Sequence, residues 1–424
     1  MKYLVSIERS GRPVLVGTIE GESSDEASFR YSEAYLNKPE AAPISLSLPL
    51  QAAPFTPRQT RCFFDSLLPE GYTRQSVIRY LKLNETDYLS ILHALGQECL
   101  GALRIYQEGE AAHARYERLT RSRVKELASE GASTSTALVT EARLSLAGAS
   151  GKVGLYYDEK ENAWYLPRGT APSTHIVKQS HVRYKEIVPN EQLCLCTAAL
   201  CGLHVAPSFI LDTGKGEDKD VLLVSKRYDR TMPDDPVMVD GLPVPFRRHQ
   251  EDLAQALGIP AAEKYERGHH YLRDMFALLR THSARPIEDQ LELWDRIVFN
   301  FLIGNADAHI KNFSLLYAPD LRSLRLAPAY DIIHTGYEGL SQNLAFAIGG
   351  VTAQGEITRE SFRLAAKEVG LGERMALARL DALVSRFPSA LSTAAAELQR
   401  QGVPSAPAWR DKILAGKRDK QISK

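Results

Sequence analysis

Cysteine is scarce in this chain, and what there is comes in an odd number. Cys62, Cys99, Cys194, Cys196 and Cys201 are the five in 424 residues, too few for a disulfide framework, and the odd count argues for a reducing compartment. Net charge is absent too. Fifty-two basic residues face 52 acidic ones, so no global field draws the chain to nucleic acid or a membrane, and any such contact must be local. No run approaches the roughly 18 apolar residues that a membrane helix needs, and the apolar stretch in the opening MKYLVSIERSGRP is too short for a signal-peptide core. There is no internal repeat and no low-complexity tract. These absences lead to the expectation of a soluble, cytoplasmic protein with no membrane partner. At roughly 100–200 residues per domain, the length allows two or three packed units.

What is present changes character along the chain. KYLVSIE and RPVLVGTIE read as two strands joined at Ser10 and Gly11, a β-hairpin, and helical spacing follows in FFDSLLPEGYTRQSVIRYLKL and DYLSILHALGQE. GALRIYQ reads as a strand, and the polar, charge-rich residues 108–138 read as a linker. The middle third is strand-rich in Leu144–Tyr157, WYLPRG, THIVKQS and VLLVSKRYDR. One helix interrupts it, expected to start after Pro189 with Asn190 as N-cap and Glu191 in the first turn. From about residue 247 the spacing is almost wholly helical, apart from short strands near Phe313–Leu316 and Leu324–Leu326.

The loop GNADAHIKNFSLLY (304–317) places Asn305, Asp307, His309, Lys311 and Asn312 between a helical run and a strand. A plain surface turn would carry Gly, Pro and Ser instead. Asp307 and Asn312 have the Asp-x-x-x-x-Asn spacing of a protein-kinase catalytic loop, in which the acid orients the acceptor hydroxyl and the amide binds Mg²⁺. Asp331 in LAPAYDII ends a strand-like run, as the second metal ligand of a kinase does. Phosphoryl transfer suits these residues because Mg²⁺ prefers oxygen ligands and neutralises phosphate charge. LSLAGASGKVG (144–154) offers three glycines whose backbone could approach an anion. It is not a P-loop, since it lacks the spacing between glycines and has Val153 where Ser or Thr would hold the metal. Lys178 in THIVKQS follows one hairpin later, where a kinase carries its strand lysine.

Taken in order, SLAGASGKVGL, PSTHIVKQS, NEQLCL, KRYDR, RHQEDLAQALG with KYE, GNADAHIKNFSLLY and LAPAYDII resemble the HipA family of serine/threonine kinases, toxins of HipBA toxin–antitoxin modules. FRYSEAYLNKPEAAPISLSLPL and FFDSLLPEG look like the small domain that precedes the kinase core in that family. The resemblance implies ATP and Mg²⁺ as cofactors, Asp307 as catalytic base, Asn312 and Asp331 as metal ligands, and Lys178 as the phosphate-binding lysine. It also implies ATP contacts from the glycine loop (Ala147, Gly148, Ala149, Ser150, Gly151, Lys152), from a hinge at Lys226, Arg227 and Tyr228, and from His309, Lys311 and Tyr330. Ser145 matches the serine that such kinases autophosphorylate to switch themselves off; its phosphate would add about two negative charges to a loop meant to hold ATP phosphates. The loop departs from the family pattern Ala-Gly-Ala-Gln-x-Lys, with Ser150 replacing Gln and Gly151 adding flexibility. Implied partners are a HipB-like helix-turn-helix antitoxin, operator DNA reached through that complex, and a protein substrate of the aminoacyl-tRNA synthetase class, with the glutamyl enzyme favoured.

Plainer readings stand beside these. Asp307 and Asn312 alone could cap a turn, His309 could simply pack, Lys152 could point to water, and Ser145 could be an ordinary strand serine. Cys194, Cys196, Cys201 and His204 cannot converge on one metal from a single helix, so buried thiols are expected. The basic tail 410–424 reads as a frayed terminus. The expected fold is α+β and two-lobed, protein-kinase-like: an N-terminal subdomain (1–107), a linker (108–138), a β-rich nucleotide lobe (139–246) and an all-helical lobe (247–424). Rival functions are a non-catalytic DNA-bound corepressor scaffold, and a kinase or nucleotidyltransferase acting on another acceptor.

Overall fold

The computed structural model describes all residues except 111–112, 131, 144, 147–150, 181–183, 269, 339 and 424; the side chains of 132–134 are likewise left aside. The chain opens with the expected hairpin. β1 (Lys2–Arg9) and β2 (Arg12–Glu20) pair antiparallel with Arg9 opposite Arg12. Ser10 (φ 48°) and Gly11 (φ 77°) are both left-handed in the turn, the two-residue geometry whose twist matches that of paired strands. β3 (Ser28–Tyr31) and β4 (Leu103–Tyr106) complete a sheet in the order β3-β2-β1-β4. Helices α1 (Glu33–Leu36), α2 (Pro57–Phe64), α3 (Gly71–Leu81) and α4 (Tyr88–Leu95) lie between β3 and β4 in the chain. A capping box starts α2: Thr56 and Gln59 each accept the other's backbone N–H.

The segment expected to be a linker holds structure of its own. β5 (Ala114–Arg118), α5 (Arg121–Ser129) and the start of α6 (Ala132–Ala142) fall within it. β5 pairs with β7 (Ala163–Gly169), Tyr116 opposite Pro167, and Tyr116 alone of its five residues is buried. α5 is capped by the Thr120 hydroxyl and buries only Val124, Leu127 and Ala128. An edge strand and a short one-sided helix need few apolar residues, so their composition resembles that of a loop. β6 (Lys152–Asp158) and β8 (His175–Gln179) extend the sheet in the order β5-β7-β6-β8.

α7 (Ile187–Cys201) begins three residues before the expected cap, with Pro189 inside its first turn, where a missing N–H costs nothing. Asn190 is therefore helical and fully buried. β9 (Ser208–Asp212), β10 (Val221–Lys226), α8 (Leu253–Leu257), α9 (Tyr271–His282) and α10 (Pro286–Ile303) follow, then α11 (Arg359–Val369), α12 (Glu373–Arg400), α13 (Ala406–Ala415) and α14 (Arg418–Gln421). The C-terminal third is not all helical: besides the expected strands Ser314–Tyr317 and Leu324–Leu326 it contains Asn343–Ile348 paired with Val351–Ala353.

The chain divides into two compact units. The first comprises residues 1–182, 224–261 and 316–323, and the second 183–223, 262–315 and 324–424. The expected boundary near 108–138 is not where this division falls. In the second unit α12 packs on α7, α10 and α13, and a small core of Val188, Val221 and Leu223 joins α7 to β10. The described residues of the basic tail expected to fray are folded: Ile413 and Ile422 are buried, and Arg418 Nε donates to Gln354 Oε1 at 3.0 Å. Among the described residues no helix is long and apolar enough to cross a membrane.

Candidate functional site

The polar loop after α10 is built largely from its own polar residues. Gly304 (φ 74°) ends the helix in the left-handed conformation, its N–H donating to Phe301 O, while Asn305 N–H donates to Asn300 O at 2.8 Å. This is the usual way to satisfy a helix's last carbonyls. The left-handed φ favours glycine here, and a Cβ at 304 would lie 2.6 Å from the Arg418 guanidinium carbon, so that side chain would also have to shift. Asn305 Nδ2 donates to Asn300 Oδ1 (2.9 Å), and Asn305 Oδ1 accepts Asp307 N–H (3.0 Å). Asn312 Nδ2 donates to Asp307 O (2.8 Å), and His309 N–H donates to the same carbonyl (2.7 Å). The turn of the capped-loop reading and the catalytic-loop spacing are thus one structure. Asn305 and His309 are buried, while Asp307 and Asn312 are partly exposed.

Two long-range clamps hold this loop, and sequence reasoning found neither. Thr335 Oγ1 donates to Gly304 O (3.0 Å) and accepts Ala306 N–H (2.8 Å). His334 Nδ1 meets Ile303 O at 2.7 Å, and burial pushes that imidazole's pKa down to about 4, with Arg418 and Lys412 acting in the same direction, so it is neutral at pH 7. Asn190 of α7 holds both ends of the His334 peptide backbone, accepting from its N–H (3.1 Å) and donating to its C=O (2.8 Å). The only local signal was the pair His334–Thr335 just after Asp331.

Asp331 itself sits at φ +56°, in the left-handed region that Asn, Asp and His visit more than other non-glycine residues and that recurs at functional positions. Asn312, Tyr330 and Asp331 line one cavity together with Arg296, Asn300 and Asn305. Tyr330 OH donates to Lys311 O (2.9 Å) and bonds Ser314 Oγ (2.6 Å), bracing the loop against the strand that follows. Lys311 is buried. One carboxylate and one amide oxygen are donor types that suit Mg²⁺, which keeps several waters and takes further ligands from substrate phosphates. No group of three or more His, Cys, Asp or Glu side chains that could cage a metal exists among the described residues. Cys194 and Cys201 are buried and free, with burial raising their thiol pKa values, the second to about 12. A tyrosine missed as a site residue also reaches the loop: Tyr265 OH donates to Asp307 Oδ1.

In the first unit, register brings two lysines together. Lys152 of β6 is the direct cross-strand partner of Lys178 of β8, so both point to one face of the sheet, and both are buried. Lys152 does not simply point to water. Gly151 precedes it, and a Cβ there would lie 2.2 Å from Gln179 Nε2, so a side chain at 151 would need the Gln179 amide to shift. Ala147, Gly148, Ala149 and Ser150 lie outside the described residues. Ser145 is not in a strand; it is fully buried, with Oγ donating to Leu67 O at 2.7 Å and N–H to Glu98 O at 2.8 Å.

The hinge candidates differ among themselves. Lys226 is exposed, and Tyr228 OH donates to Gln250 Oε1 at 2.5 Å. The Arg227 side chain is fully buried and committed, donating to both Asp229 oxygens (2.9 and 2.7 Å), to Ser173 Oγ (3.0 Å) and to Glu98 Oε1 (3.3 Å). Its guanidinium is a structural group, so any ligand contact at 227 falls to the backbone. Burial alone would raise the Asp229 pKa, but Arg227 and Arg230 outweigh it and hold the carboxylate well below its usual range.

With this geometry established, comparison with known proteins places the chain. The description "HipA-like C-terminal domain" matches residues 144–391 and "HipA N-terminal domain" matches 12–106. A protein of Sinorhizobium fredii named "Putative kinase Y4mE" is 35% identical over 389 residues, 89% of each chain. The "Serine/threonine-protein kinase toxin HipA" of Shewanella oneidensis is 29% identical over 82% of this chain and 80% of its own. Among solved structures, HipA in a Shewanella oneidensis complex with HipB and operator DNA superposes with a TM-score of 0.79 at 23% identity, covering 99% of this chain and 97% of that one, a likeness of fold.

Proposed function

We infer the activity from a premise and a site: this chain belongs to the HipA family of serine/threonine kinases, and it carries the acid, the amide and the lysines that phosphoryl transfer uses. The proposed reaction moves the γ-phosphoryl group of Mg-ATP to a serine or threonine hydroxyl on a protein. Asp307 would accept the hydroxyl proton, Asn312 and Asp331 would hold Mg²⁺, Lys152 and Lys178 would neutralise phosphate oxygens, and ADP would leave. Bound Mg-ATP supplies the transferable group and spreads the developing charge. The residues' own contribution is placement: Asp307 is fixed through its N–H by Asn305 and through its carbonyl by Asn312 and His309. The observation that carries this reading is the shared cavity of Asn312 and Asp331, five and 24 positions beyond Asp307 in the sequence, with Asp331 held left-handed.

We further propose that the chain is a translation-inhibiting toxin acting on an aminoacyl-tRNA synthetase, the glutamyl enzyme first, and that a HipB-like antitoxin restrains it and carries it to operator DNA. Support comes from the names of its relatives and neighbour. Self-limitation at Ser145 has a physical rationale. A phosphoserine could no longer donate to Leu67 O, and a dianion cannot return to a site sealed from water, so the modified segment would stay out.

The test is incubation of purified protein with γ-labelled ATP and Mg²⁺, beside Asp307→Ala and Ser145→Ala, with sites mapped by mass spectrometry. Label on Ser145 of the wild type, lost in both variants, supports the reading; adding synthetases then asks for the acceptor. Label transferred from α-labelled ATP instead would mean nucleotidyl transfer, and neither label nor ATP binding would leave the scaffold reading.

A further inference from the structure

Tyr265 has no role in the reaction as set out so far, yet it touches the residue read as the base. Its hydroxyl donates to Asp307 Oδ1, and its ring meets His309 edge-on, with centroids 5.4 Å apart at 89°. The segment that carries it is pinned on both sides. Lys264 O accepts Ile310 N–H of the catalytic loop at 3.4 Å, and Lys264 Nζ lies 5.5 Å from the Tyr265 ring centroid. Glu266 N–H donates to Ala345 O at 2.8 Å, while its carboxylate accepts Ala347 N–H (2.8 Å) and Tyr271 N–H (2.9 Å). Tyr265 itself is 41% exposed. Core packing does not explain why a half-exposed ring is held between two anchored neighbours; the phenol's position on Asp307 does.

Resting on the kinase reading above, we propose that Tyr265 is a positioning residue for Asp307. The backbone of Asp307 is fixed by Asn305, His309 and Asn312, but these bonds leave the last side-chain torsion of an aspartate broad and soft. A donor on Oδ1 sets the carboxylate plane. The acceptor hydroxyl then meets a base of fixed orientation, and effective transfer depends on that alignment. The ring–ring contact with His309 sets the phenol's own direction, so Tyr265 reports the loop's conformation to the base.

The experiment compares wild type, Tyr265→Phe, Tyr265→Ala and Asp307→Asn, using γ-labelled Mg-ATP with dephosphorylated casein as probe acceptor and self-labelling as a second readout. Tyr265→Phe keeps the ring on His309 and loses only the donor. Its kcat is expected to fall by about 10- to 100-fold, up to the loss that a roughly 1 Å misplacement produces, while KM for Mg-ATP and the melting temperature stay at wild-type values. An active wild type with Tyr265→Phe at full kcat overturns the proposal alone. A wild type that labels neither itself nor casein overturns the kinase reading and this proposal with it. A second measurement does not depend on activity: with ¹³Cζ-tyrosine, the resonance lost in Tyr265→Phe is expected to shift in Asp307→Asn, and an unmoved resonance refutes the contact itself.

Discussion

Replacing Glu251 with glutamine should flatten the pH dependence of this protein's stability. Glu251 is completely buried in the first unit, where Oε2 accepts from Ser45 Oγ (2.5 Å) and Oε1 accepts from Leu46 N–H (3.1 Å) and from Tyr317 OH. Burial is the largest influence on it and, with Asp252 nearby, raises its pKa from 4.5 to about 7 against the lowering effect of those donors. Between those two values the folded chain keeps a proton that the unfolded chain has released. The group's contribution is therefore fully present below pH 4.5 and is lost as pH rises through about 7. At about 1.4 kcal/mol per pH unit over that interval, the loss is on the order of 3 kcal/mol.

Glutamine has the same shape and never ionises. Its carbonyl can keep the bonds from Leu46 and Tyr317, and its amide can donate to Ser45 Oγ. The stability difference between Glu251→Gln and wild type should therefore grow in the variant's favour by about 3 kcal/mol from pH 4.5 to pH 8. Urea titrations at four or five pH values measure it. Other titrating groups are common to both proteins and cancel in the difference. His249, two residues before it in the chain, is held neutral by burial, which pushes its pKa down to about 4. Two parallel stability curves, with a gap constant to within about 0.5 kcal/mol, would refute the argument.

Asn190→Ala, which strips partners from the buried N–H and C=O of His334, should cost about 2–4 kcal/mol and lower kcat more than ATP affinity; denaturation and steady-state kinetics measure both. Asp229→Ala leaves Arg227 and Arg230 with an uncompensated buried charge, and about 3–5 kcal/mol of stability should go with it in urea unfolding. Gly304→Ala forces a Cβ into the left-handed conformation and against the Arg418 guanidinium; a loss of at least about 1–2 kcal/mol is expected, and Arg418→Ala in the same chain should recover the steric part.

What the sequence made legible follows from how far apart the interacting residues are. The Ser10–Gly11 hairpin and the run from α10 through the loop to strand Ser314–Tyr317 could be read because turn chemistry and periodicity are local. Residues 108–138 were misread because β5 owes its existence to β7, some fifty residues on, and shows the sequence only one buried side chain. The tail was misread for a related reason. Its charges are conspicuous, whereas the buried residues that dock it, Ile413 and Ile422, are few and widely spaced.

The catalytic loop shows the same limit within a single site. Its crowd of polar residues suggests chemistry, but the types alone do not say which of them would act and which build. Asn305 and the Asn312 amide nitrogen spend their hydrogen bonds on the loop's own backbone and on α10, so a loop with this much polarity carries fewer reacting groups than it displays. The groups that fix it from outside, Asn190, Thr335 and Tyr265, lie between 28 and 117 positions from Asp307 and have no spacing relation to it. A motif records the atoms that chemistry constrains, and their supports are constrained only by the fold. That is why a candidate base can be picked out by reading the chain, whereas the groups that brace its loop show themselves only in three dimensions.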